Sequence, residues 1–186
     1  MKVRDSGMPE ESAWEQFFDA ASVLRALEMP SDADMVDFDF DFGYGAFSIS
    51  AATLTTGTVY ALDSEPQMVA ATAAKASRLG LANVQADFVA TGTGLASGSV
   101  AYAMLFNILH AEDPLSLLRE AFRVLRPGGS LASSTGYMMH PRLVDRTSAF
   151  VHDRSSASIG LAGRLRRGRF ADSAAAVSLR DRDAKN

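Results

Sequence analysis

Cysteine is absent from all 186 residues. That absence removes disulfide scaffolds, thiolate zinc sites, iron–sulfur clusters and thiol nucleophiles from the chemistry open to the chain. Histidine is scarce, with only His110, His140 and His152 as soft ligands, so no metal site is expected. No apolar run approaches the roughly 18 residues of a membrane span. The start MKVRDSGMPE lacks the apolar core of a signal peptide. A soluble, cytoplasmic chain with no membrane partner is the expectation. What is present fits one globular domain with a sizeable core: 47% apolar and 22% charged residues, at a mean hydropathy of +0.02.

Positive charge is also scarce over most of the length. Residues 1–140 hold 8 Lys and Arg against 17 Asp and Glu, a net −9, whereas residues 141–186 hold 10 against 5, a net +5. A body at −9 repels phosphodiester backbones, so nucleic acid is not an expected partner for it. The last 46 residues carry nine Arg, six Ser and only ten large apolar side chains, without strand alternation. They read as a solvated basic arm, or as sequence out of frame and never selected to fold. The expected division is a folded unit over 1–140 and an Arg/Ser-rich tail over 141–186.

Within the unit, Trp14, Phe17, Phe18, Ala21, Leu24 and Leu27 recur near helical period over residues 10–28, closed by Pro30. MVDFDFDF, residues 35–42, alternates acid and aromatic as a half-exposed strand would. Gly43-Tyr44-Gly45 turns into the helix-compatible AFSISAATL. TVYALD, residues 58–63, is a second strand, and Pro66 suits the first position of an alanine-rich helix that stops at Gly80. Residues 83–88 and 100–107 are further strands, the latter apolar enough to be buried on both faces. Asp113-Pro114 opens a helix through Arg126, and Pro127-Gly128-Gly129 leads to a strand over 130–134. Strands alternating with helices predict an α/β fold: a Rossmann-like, open, mostly parallel sheet with helices on both faces. The tail's composition predicts that this sheet lacks its last strands.

In such sheets the ligand lies beyond the carboxyl ends of the strands. Gly43 and Gly45 follow the first strand, where missing Cβ atoms let backbone N–H groups approach a ligand. Asp63 ends the second strand twenty residues after Gly43, the separation at which a carboxylate takes ribose hydroxyls. Asp87 and Phe88 end the third, suited to an adenine amino group and ring. Asn107 and His110 follow the fourth. Each has a plainer reading: a simple turn at the glycines, a helix-capping Asp63, a core Phe88, a packed or exposed His110.

These stretches resemble the class I S-adenosylmethionine-dependent methyltransferases of the small-molecule type. DFGYGAF, TVYALDSEPQMV, ADF and YAMLFNILHAEDPLSLLREAFRVLRPGG carry the likeness, over roughly residues 10–132. The resemblance implies S-adenosylmethionine as cofactor and methylation of a small-molecule acceptor. It assigns Gly43 and Gly45 to the methionine end, Asp63 to the ribose, and Asp87 with Phe88 to the adenine. Asn107 and His110 fall near the transferred methyl, with His110 as a base where the acceptor must lose a proton. The motif acid–x–Gly–x–Gly–x–Gly aligns with Asp39 through Gly45, so Asp39 takes the acid's place and Asp41 stands where a glycine belongs. A side chain there crowds the turn and sets a negative charge against the cofactor's carboxylate end. The sequence after the fourth strand reads FNILH, not the Asn/Asp-Pro-Pro-aromatic motif of the nucleic-acid amino methylating members. A non-catalytic, methyltransferase-like domain with weak or no cofactor binding is the alternative, favoured by Asp41 and the tail. A nicotinamide dehydrogenase is disfavoured by Ser48, which stands where that fingerprint wants its third small residue.

Overall fold

In the computed structural model, which describes residues 19–38, 45–106, 108, 113–135, 148–153 and 159–160, the strands form one seven-membered sheet. Its elements are α1 (Ala20–Ala26), β1 (Met35–Phe38), α2 (Ala46–Leu54), β2 (Val59–Asp63), α3 (Pro66–Arg78), β3 (Val84–Phe88), β4 (Val100–Phe106), α4 (Pro114–Val124), β5 (Leu125–Thr135), β6 (Ser148–Asp153) and β7 (Ile159–Gly160). The spatial order is β3-β2-β1-β4-β5-β6-β7. β1 to β5 run parallel, and β6 and β7 add antiparallel pairings. No helix among the described residues is long and apolar enough to cross a membrane.

Local chemistry explains the helices. The Asp19 carboxylate accepts from the Ser22 N–H and caps α1. Asp113 does the same for α4 through Ser116, with Pro114 at the first helical position. Pro66 opens α3, and Gly80, at φ +71°, ends it. There Leu81 N–H bonds to Ala76 O and Gly80 N–H to Ser77 O, the paired bonds of a Schellman cap. α1 closes with the same two bonds, from Met29 to Leu24 and from Glu28 to Arg25, but a glutamate occupies the left-handed position at φ 56°. α2 ends under Asn83, whose amide donates to the carbonyls of Ala52, Thr55 and Gly57.

Two apolar layers flank the sheet. On one face Leu24 of α1 and Phe47, Ala51 and Ala52 of α2 pack on Met35, Val59, Tyr102 and Met104. On the other, Ala121 and Val124 of α4 pack on Val36, Phe38, Leu62 and Leu105. β1 therefore sits in the middle of the sheet with both faces covered. The sequence expectation of a half-exposed first strand is corrected over its described residues: all four are buried, Asp37 included, at 2% exposure. Alternation reports which face a side chain points to, not whether that face is covered. β4 is buried along all seven residues, as its apolar run predicts.

Two boundaries differ from the sequence reading. The helix expected to reach Arg126 stops at Val124, because Leu125 already pairs with Val100 as a strand. Pairing resumes at Tyr102 with Ser130, so Arg126-Pro127-Gly128-Gly129 bulges out of the ladder. The sheet also continues past β5: Ser130–Thr135 pairs with Ser148–Asp153, inside the segment expected to lack strands. That segment's low apolar content hid the strand, because the sheet edge supplies the ladder whatever the side chains.

Candidate functional site

β1 is the turning point of the sheet. The chain winds outward from it through β2 and β3 on one side, and through β4 and β5 on the other. In doubly wound sheets the crevice at such a reversal, beyond the strand ends, is where ligands bind. Gly45 sits there as the N-cap of α2, in the left-handed conformation at φ 67°. A Cβ on it would lie 2.5 Å from Thr72 Oγ1 and 2.6 Å from Thr72 Cγ2, so α3 closes against a backbone that must stay bare. Behind the turn Phe47 stacks on Phe106, the last residue of β4, with ring centroids 4.1 Å apart.

Asp63 ends β2, 5% exposed. Its Oδ1 accepts from the Glu65 N–H at 2.7 Å, which fixes the carboxylate at the strand end and helps turn the chain toward α3. The capping reading is thus met in part, although the N-cap of α3 is Glu65, not Asp63. Phe88 is Asp63's partner in the ladder, and the Val89 N–H donates to Asp63 O. The core reading of Phe88 is overturned, because the side chain is 53% exposed. Asp87 beside it is also exposed. A half-exposed ring thus stands next to a buried carboxylate at two adjacent strand ends. Asp39, Asp41, Gly43, Asn107 and His110 lie outside the described residues.

The site's electrostatics centre on a residue the sequence reading passed over. Asp37 faces the same side of the sheet as Asp63, since it pairs with Ala61, two residues before Asp63. Ser48 Oγ, itself fully buried, donates to Asp37 Oδ2 at 2.6 Å. Burial pushes the Asp37 carboxyl up to about 7; the Ser48 hydrogen bonds oppose this and the Asp63 charge adds to it. Asp37 is the first acid of the repeating Asp-Phe run. Its position two residues into a central strand was the available signal.

A second cluster holds the segment after β3. Glu120 Oε1 accepts from the Thr93 N–H at 2.8 Å and from Thr93 Oγ1 at 2.6 Å. Arg123 binds Glu120 and also donates to Leu95 O at 2.8 Å. The hydrogen bond from Arg123 leads the causes that hold Glu120 down at about 2. The cluster ties the connection that leaves Phe88 to α4. Nothing in the separate sequence stretches announced it.

This arrangement defines a doubly wound α/β domain whose strand order reverses at β1. The methyltransferase domain family matches residues 38–133, and the chain belongs to it; the family's cofactor is S-adenosylmethionine. A SAM-dependent methyltransferase from Aquifex aeolicus is 25% identical, over 66% of this chain and 66% of that one, with a TM-score of 0.60. The YcgJ protein of Bacillus subtilis is 17% identical, over 63% and 50% of the two chains, at a TM-score of 0.56. A geranyl diphosphate methyltransferase, solved in complex with SAM, is 21% identical over 62% and 47%, also at 0.56. The chain thus spans less than two thirds of the length of each of these proteins. No curated protein matches it.

Proposed function

We propose that the protein transfers a methyl group from S-adenosylmethionine to a small-molecule acceptor. The observation that carries the reading is the juxtaposition at the strand ends: a left-handed glycine at the start of α2, the buried Asp63 carboxylate, and the half-exposed Phe88 ring beside it. These residues fit the cofactor: a bare backbone for its methionine end, a fixed acceptor for ribose hydroxyls, and an apolar face for adenine. Asp39, Gly43 and Asp87 complete the set in this reading. A net charge of −9 over residues 1–140 supports an acceptor other than nucleic acid.

When bound, S-adenosylmethionine supplies an electrophilic methyl on a sulfonium. The protein's contribution is alignment. Asp63 orients the nucleoside end, and the Phe47–Phe106 stack backs the turn. Asn107 and His110 follow β4 in the sequence, and this reading assigns them to the reacting end, with His110 as base for an acceptor that must lose a proton.

The second reading, a domain that has lost turnover, rests on Asp41 at a motif glycine. Calorimetric titration with S-adenosylmethionine and S-adenosylhomocysteine separates the two, with NAD as control and Asp41→Gly alongside. Micromolar binding of both sulfur ligands but not NAD is the expected result. Binding only by Asp41→Gly supports the second reading, and binding of NAD alone rejects both.

A further inference from the structure

The two residues before and the one after β1's acid are what a central strand calls for: Met35, Val36 and Phe38 are apolar and buried. A carboxyl between them is not. Asp37 is flanked by Ala61 on β2 and Met104 on β4, and α2 covers it. Among the described residues, the elements that pair with it or cover it carry no cation, and the basic side chains of the neighbouring helices are Arg25 on α1 and Lys75 and Arg78 on α3. α2 carries no charged residue, β2 contributes Asp63, and β4 contributes Tyr102, whose hydroxyl donates to Leu27 O. Burying a carboxylate without a cation is costly, so its retention calls for a use.

The contacts suggest one. Ser48 lies three residues after Gly45, in the first turn of α2, and both Ser48 and Asp37 are buried. Their bond joins the strand that enters the glycine motif to the helix that leaves it. Asp63 stands on the same face, so the carboxyl that anchors the turn also adjoins the carboxylate assigned to the ribose.

We propose that Asp37 is a positioning residue for the cofactor: through Ser48 it fixes the first turn of α2 behind Gly45, and through Asp63 it couples the presentation of the ribose-binding carboxylate to a single buried proton. The proposal rests on the S-adenosylmethionine reading above. With the proton on Asp37, Ser48 keeps a neutral carboxyl as its acceptor. With the proton gone, a buried carboxylate faces the same side of the sheet as Asp63. The turn of α2 must then give way to bring water to Asp37. The carboxyl's rise to about 7 places this change near neutrality.

The test uses the full chain and S-adenosylhomocysteine, titrated from pH 6 to 8.5 against wild type, Asp37→Asn, Asp37→Leu and Ser48→Ala, with circular dichroism as the check on folding. The ligand's own titration cancels in the ratio of wild type to Asp37→Asn. That ratio of affinities is expected to fall about thirtyfold across the range, since a fully linked site loses about one decade per pH unit above the carboxyl's value of about 7. Asp37→Asn retains an acceptor for Ser48, and its affinity varies with pH only as the ligand's own titration requires. Asp37→Leu and Ser48→Ala bind about five- to tenfold more weakly at every pH, the size of one lost buried hydrogen bond. Parallel curves for wild type and Asp37→Asn overturn the proposal while the cofactor reading stands. A wild type that binds no adenosine ligand at any pH overturns that reading, and the proposal with it. Should Asp37→Leu not fold, the comparison with Asp37→Asn decides alone.

Discussion

A carboxyl that titrates near 7 in the folded chain, against an ordinary 3.8, ties stability to pH in one direction. Between those values the folded state holds a proton that the unfolded chain has released, so stability falls as pH rises through the window and is level above it. Asp37→Asn has no such dependence. Its stability relative to wild type is expected to rise by about 2–4 kcal/mol between pH 4 and pH 8, read by urea denaturation at each pH. Gly45→Ala meets two penalties, the positive φ and the contact with Thr72. A loss of about 2–4 kcal/mol in thermal or denaturant unfolding is expected. The double variant with Thr72→Ala should regain the steric part only. Glu28→Gly removes the left-handed strain at the end of α1 and should add about 0.5–1 kcal/mol in the same measurement. Gly45 and Asp63 were legible in the sequence because punctuation marks them, a turn glycine before a helix and an acid closing a β-rich run. Asp37 was not, since an acid alternating with aromatics reads as an exposed face until both sides of the strand are known to be covered.

Elements were legible where their ends carry their own chemistry. AFSISAATL is α2 to the residue, and Pro66 and Asp113-Pro114 start α3 and α4 as their cap and proline residues require. The bulge in β5 was not, because it depends on where Ala101 and its neighbours lie in β4. Nor was the link between α4 and the segment after β3, whose partners are 27 residues or more apart. Glu120's carboxyl is held down at about 2, so the stabilisation from this link is full above its ordinary 4.5 and is lost as pH falls toward 2. Glu120→Gln is expected to cost about 1 kcal/mol near neutrality and to converge with wild type at the acid end, followed by acid titration of the unfolding midpoint. Hydrogen exchange at residues 89–98 should quicken in the same variant, because their backbone groups lose their tie to the helix.

At the scale of the whole molecule, the parallel order β3-β2-β1-β4-β5 follows from the alternation of strands and helices, while the antiparallel additions do not. The sequence of residues 141–186 lacks strand alternation, and the ladder passes from β5's edge to β6 and from β6 to β7. A chain ended at residue 140 would leave that edge unpaired along Ser130–Thr135. Such a truncation is expected to lower the melting temperature and to promote association, seen by light scattering beside a thermal melt. The first strand carries a different hazard, set by its own repetition. In the sequence, a step of two residues along Asp-Phe-Asp-Phe-Asp-Phe puts an acid where an acid was and a ring where a ring was, so three successive alignments of the run offer the same chemistry. Only the ends differ: Met35 and Val36 behind, the glycines ahead. Folding must therefore select among near-equivalent alignments, and refolding from urea should show a slow, concentration-independent phase that a single Phe40→Val substitution, by marking one tooth of the ratchet, shortens or removes.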